Sequence, residues 1–303
     1  MTIFQKQKLI LHGFTKAYFI EYIQTKCTEE DIKHTDKLVQ DWEKVARIFE
    51  TMQSTESRVA DSIQVLPVSE SIARKLKPVQ ESSIFQNTYS KTNWEFKIVE
   101  IDKLITLQNG VYLDFIEKLK NKLPQKLTED ALVDFTISLK KDYAPISRLK
   151  NADNQVIYSS DSSDLRVIGS FSQPIETVTL PNEVMTGIPV RCLITLVGYG
   201  LPIANVLAMG NRLVLNNGFH RLYVLRSLGI THAPVLLQRI VNIQDVPTAI
   251  QTNFINLISM PRPPLMKDYF SNELTAAVNI NPRKKVVKVT IESETFDVPF
   301  NNT

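Results

Sequence analysis

The stretch Arg212-Leu213-Val214-Leu215-Asn216-Asn217-Gly218-Phe219-His220-Arg221-Leu222-Tyr223-Val224-Leu225-Arg226-Ser227-Leu228-Gly229 reads as a short apolar strand, a tight turn and a helix that closes on a glycine. A glycine-bearing turn feeding a helix start leaves first-turn backbone N–H groups without intrahelical partners and presents the positive end of the helix dipole. Arg221 adds a forked donor beside them. That combination suits an anion, phosphate above all. The same residues also describe an ordinary strand–turn–helix corner in which Gly218 serves the turn and His220 and Arg221 are surface side chains. On this stretch alone both readings stand.

The flanks add order. Upstream lies Gly198-Tyr199-Gly200-Leu201-Pro202-Ile203-Ala204-Asn205-Val206-Leu207-Ala208-Met209-Gly210-Asn211, and downstream Ile230-Thr231-His232-Ala233-Pro234-Val235-Leu236-Leu237. They read as a helix end at Gly-x-Gly, a Pro-led strand, a Gly-Asn hairpin, the strand and helix above, and a strand returning to the sheet. From Pro189 to Arg239 the chain resembles the N-terminal domain of ParB partition proteins and the related sulfiredoxin fold. The resemblance implies an α+β fold with a small mixed sheet and helices. It also implies a nucleotide or phosphate ligand, with Mg2+, held by Asn217, Gly218, Phe219, His220 and Arg221, and His220 as a phosphate donor or acid.

The departures from that family limit the chemistry. Asn217 stands where many relatives carry Asp; it cannot act as a general base and is a weaker magnesium ligand. Phe219 occupies the place of the sulfiredoxin cysteine, so no thiolate is available for sulfinic-acid repair. The E-N-x-x-R helix of ParB CTPases has its nearest counterpart in Phe254-Ile255-Asn256-Leu257-Ile258-Ser259, which keeps Asn256 as a ligand-site residue but lacks the Glu and the Arg. Weak or no turnover is therefore expected. The other reading is a scaffold that kept the fold and binds a protein or nucleic acid.

With 303 residues, 43% apolar content and a net charge of +3, the chain can bury one large core or two smaller ones and neither demands nor excludes nucleic acid. No apolar run reaches bilayer length and the first residues lack a secretory apolar region, so a cytoplasmic protein with no membrane partner is expected. Cys27 and Cys192 lie far apart and read as two buried thiols.

Along the chain, apolar residues at three- and four-residue steps predict helices over 14–25 and 28–54, a pair that packs on the protein's own core or docks a partner. Residues 59–93, broken by Pro67 and Pro78, read as a loose connector, so 1–92 form a helical extension. The core is expected over 93–260. It opens on an alternating strand at 96–105 and carries an insertion at about 106–180, in which Asp161 and Asp164 are candidate carboxylates. Residues 182–198 are ambiguous and, from their position, predict a helix; a further helix is expected over 246–258. The tail, 261–303, reads as a proline strap, Pro261-Arg262-Pro263-Pro264, and a C-terminal β-hairpin. The hairpin tip, Arg283 to Lys285, is a candidate contact for phosphates or an acidic partner. His12, His34 and His232 read as structural or exposed.

Overall fold

The structure, a computed structural model, describes residues 4–90, 92–139, 143–152, 154–162, 164–177 and 187–297. It is a mixed α+β protein that divides into two compact units, 1–140 with 202–282, and 141–201 with 283–303. The expected boundaries near residues 92 and 260 do not coincide with this division.

The first unit is built on a six-stranded mixed sheet. Its strands run in the order Val65–Pro67, Asn93–Glu100, His232–Arg239, Asn205–Met209, Arg212–Asn217, Ile105–Thr106. Asn205–Met209 and Arg212–Asn217 form the expected hairpin through Gly210-Asn211, with Met209 opposite Arg212 and Gly210 at φ +59°. His232–Arg239 returns parallel to Asn205–Met209 and pairs antiparallel with Asn93–Glu100. Side-chain alternation gives the sheet two apolar faces. Val206, Leu213, Leu215 and Val235 pack with Leu222 and Leu225 of the helix Phe219–Ser227, whereas Leu207 and Val214 pack with Phe254 of the helix Gln251–Ser259.

A second sheet of this unit sets Gln5–Ile10 between Thr275–Ile280 and Gly110–Tyr112. The N-terminal region is therefore not purely helical. The helices Lys16–Lys26 and Thr35–Thr55, with Glu29–Lys33 between them, bury Phe19, Ile23 and Val45 against Leu9, Val278 and Ile280, which spends their apolar side on the protein's own core.

Three expectations are corrected. Residues 59–93 are not a loose connector: Val65–Pro67 joins the main sheet, and Glu70–Glu81 and Ser83–Tyr89 are helices capped by the Ser69 and Ser82 hydroxyls. Pro78 sits inside the first of these helices, where buried Ile72 and Leu76 outweigh its missing N–H. Second, the helix over 182–198 is replaced, in its described part, by the strand Arg191–Tyr199, because β-branched Ile194, Thr195 and Val197 favour a pleated surface; residues 182–186 lie outside the described residues. Third, Thr275–Ile280 and Lys285–Thr290 form as strands but not as a hairpin. The former pairs with Gln5–Ile10 and the latter with Gln155–Ser160.

The second unit holds a three-stranded sheet, Lys285–Thr290, Gln155–Ser160, Ser147–Ala152, and a two-stranded ribbon of Leu165–Pro174 with Arg191–Tyr199. Among its described residues only Ser160 and Leu165 are buried. No helix among the described residues is long and apolar enough to cross a membrane.

Candidate functional site

The corner Asn217–Arg221 is built by a glycine that no other residue replaces cheaply. Gly218 is the N-cap of Phe219–Ser227 at φ +104°, in the left-handed region, and a Cβ there would lie 2.9 Å from the Ala204 Cβ. The chain thus turns from strand to helix while pressing on the neighbouring strand entry. The helix ends at Gly229, φ +85°, where the Ile230 N–H donates to the Leu225 carbonyl.

The polar atoms around Gly218 bind their own chain. Arg221 Nη1 donates to the Thr136 carbonyl at 2.9 Å and to the Pro202 carbonyl. These carbonyls belong to the end of the helix Glu129–Thr136 and to the approach to Asn205–Met209, so one guanidinium joins three segments. The Asn217 amide donates to the Ile203 carbonyl at 3.0 Å. His220 Nε2 accepts the Tyr112 N–H at 3.1 Å, its ring stacked on Tyr112 and edge-on to Phe115. Burial, with Arg221 beside it, pulls the His220 pKa down to about 4. His220 is therefore neutral at pH 7, and because Nε2 accepts, Nδ1 carries the proton. Phe219 is buried in the main core.

Asn217, Gly218, Phe219, His220 and Arg221 thus come together. Asn256 does not join them: it is exposed on Gln251–Ser259, the helix that packs on the opposite face of the sheet. The corner does not fit magnesium. Among the described residues no group of three His, Cys, Asp or Glu side chains is gathered, and Asn217 supplies an amide in place of a carboxylate. Asp164 is paired with Arg166 at 2.7 Å, and Asp161 lies 3.6 Å from Lys284. Cys27 is buried and Cys192 half-buried, both as free thiols.

The strongest polar cluster was missed in the sequence. Arg262, expected only as part of a proline strap, is fully buried with both Nη atoms on Asp268, and its Nε and Nη2 reach Glu56 at 3.2 and 3.1 Å. Its guanidinium lies 5.4 Å from the Phe49 ring centroid, and the His12 ring stacks on the same Phe49 at 3.9 Å with Nε2 3.2 Å from Asp268 Oδ2. Hydrogen bonds from Arg262, with the His12 ring beside it, hold Asp268 at about 2 despite its burial, whereas burial keeps His12 below its ordinary value. The spacing of His12, Glu56, Arg262 and Asp268 spans 256 positions of sequence, so no local pattern announces the cluster.

Comparison of the chain with protein-family models, with curated proteins and with solved structures gives no match.

Proposed function

We propose that this chain is a partner-binding protein whose docking element is the ribbon of Leu165–Pro174 and Arg191–Tyr199, and whose Asn217–Arg221 corner is a structural joint. The ribbon carries the proposal. Its cross-strand register sets Val167 and Leu193 on one face and Phe171 and Leu196 on the other, and all four are exposed. Apolar side chains on both faces of one ribbon mark an interaction surface. The strand–turn–strand–helix–strand order around Gly218 supports a ParB/sulfiredoxin-like core in the first unit.

A photo-crosslinking residue placed at Leu193 should give crosslinked species in cells, whereas one at exposed Lys44, on the helix Thr35–Thr55, should not. Equal crosslinking at both positions, or none at Leu193, would remove the ribbon from the reading.

Phosphate or nucleotide binding at the helix start is the second reading, favoured by one observation. Gly218 caps the helix without a side chain, and Arg221 Nη2 lies 3.5 Å from where a Gly218 Cβ would stand. A thermal-shift screen of ribonucleotides and inorganic phosphate, with and without Mg2+, separates the two. A ligand at ~100 times its Kd contributes about 2.7 kcal/mol to the folded state. A Tm rise of that size that Arg221→Lys abolishes would restore the corner as a ligand site; the structural-joint reading expects none.

A further inference from the structure

We infer that the hairpin end of the main sheet holds a binding site for a small carboxylic acid with an apolar body, a single ring or a branched chain. The site lies in the first unit and does not depend on the ribbon. A cleft of about 220 Å³ opens there beside the turn Gly210-Asn211. Its apolar wall is Leu213, Ala208 and Leu237, buried residues from three neighbouring strands, on the sheet face that also packs the helix Phe219–Ser227. In register, Ala208 stands between Leu213 on one strand and Arg239 on the other. Its methyl group is the short side chain of that row, and the cleft is the space it leaves between a leucine and a guanidinium.

Size limits the occupant. An apolar cavity of ~150 Å³ holds benzene and drug-sized ligands fill roughly 300–1,000 Å³, so the cleft suits a molecule of about ten non-hydrogen atoms. An apolar wall with a few polar groups at the rim is the usual composition of such a site, the wall supplying affinity and the rim orientation.

Charge selects the class. Two carboxylates stand at the cleft, and each is paired twice. Asp61, on its rim, meets Arg58 at 2.9 Å and Arg212 at 2.5 Å; Glu95, opposite Leu237 in register, meets Lys97 at 2.9 Å and Arg239 at 2.5 Å. Four cations against two anions leave the group positive, so a cationic ligand finds its acceptors already occupied and an anionic one is drawn in. Arg239 is the receptor for that anion. It is exposed at the rim, one nitrogen, Nη2, is on Glu95, and the remaining donors of its fork have no partner among the described residues. A planar fork of N–H donors matches a carboxylate. Exposed Asn211 adds an amide donor at the turn.

Titration calorimetry of the full chain with phenylacetate should show saturable binding with a Kd of about 1 mM or tighter. Phenethylamine, the same ring on an ammonium, should bind ~10-fold more weakly or worse. Arg239→Gln should weaken phenylacetate ~10-fold, and Ala208→Leu, which fills the space, should abolish binding. Glu95→Gln frees the Arg239 fork and removes a negative charge, so it should tighten binding. A general loss of structure cannot move affinity in opposite directions at two paired surface side chains. No saturation up to about 10 mM, equal binding of the amine, or a Kd unchanged in Arg239→Gln or Ala208→Leu would overturn the inference and leave the reading of the ribbon untouched.

Discussion

Arg221 hydrogen-bonds two backbone carbonyls, and that fixes what its loss does. Truncation removes one of the two donors at each of the Thr136 and Pro202 carbonyls, which keep the Ala204 and Ser138 N–H groups, at a cost of about 0.5–1.5 kcal/mol for each bond lost. Arg221→Ala should lower the urea midpoint accordingly, and Arg221→Lys should recover part of the loss; an unchanged midpoint would free the guanidinium for a ligand. Gly218→Ala meets two separate obstacles, the positive φ and the Ala204 Cβ. The double change with Ala204→Gly removes the Cβ contact but neither the approach to the residue 204 Cα, at 3.0 Å, nor the backbone strain, so it should recover part of the stability and no more. His220 makes stability depend on pH. Its folded pKa, about 4, lies below the ordinary ~6.5, so between those values the unfolded chain takes up a proton that the folded chain refuses. Stability should fall as pH is lowered through that window, by up to about 3 kcal/mol. Buried His12, also lowered, adds slope in the same direction, while the contribution of Asp268 persists above about pH 4 and is lost only toward 2. Urea midpoints at stepped pH should flatten in His220→Gln, whose Oε1 can still accept from Tyr112; an unchanged slope would place the titration elsewhere.

At the scale of elements, the strap is held by charge as much as by proline. Gln53 exchanges hydrogen bonds with the Arg262 backbone, the Met266 N–H donates to the Leu104 carbonyl, and the Arg262–Asp268 pair closes the loop beneath Phe49. Arg262→Ala should cost about 3–5 kcal/mol, because Asp268 is left charged and buried. Arg262→Met with Asp268→Leu should cost less, and denaturation of both variants compares them; equal losses would mean that packing, not the orphaned charge, dominates. These elements also divide what the sequence reveals from what it hides. The hairpin, strand and helix over 205–229 were legible because Gly210, Gly218 and Gly229 each sit where φ is positive, a local demand that a single residue type answers. Arg191–Tyr199 was misread because its place before Pro202 was weighed above its β-branched residues. Glu70–Glu81 was hidden by Pro78, although Ser69, Ile72 and Leu76 carry a helical pattern. The partners of Thr275–Ile280 and Lys285–Thr290 lie up to hundreds of residues away, so adjacency in sequence wrongly suggested a hairpin. At the corner, composition identified the residues that meet but not that their donors serve Thr136, Pro202 and Ile203.

For the molecule as a whole, the two units differ in what holds them. The first contains all three clusters of buried apolar side chains found among the described residues, and it is interrupted by 141–201. That interruption begins and ends at one place: Ile137 bridges Ile203, the Ala204 N–H donates to the Thr136 carbonyl at 2.7 Å, and Arg221 ties Thr136 to Pro202. The chain therefore leaves and re-enters the first unit across a separation that a hairpin loop can span. Replacing residues 140–201 by a single glycine leaves about four residues between Ile137 and Ile203, within the ordinary length of such loops. With the chain also ended after Pro282, the shortened protein keeps every residue of the three clusters and the whole Arg262 network. It should unfold cooperatively, with a Tm within about 5 °C of the main transition of the full chain. It should also lose the Leu193 crosslinks, because the ribbon is gone. Calorimetry decides the first point: a broad, non-cooperative melt would mean that the first unit depends on the second, and the separation into two independently stabilised units would fail.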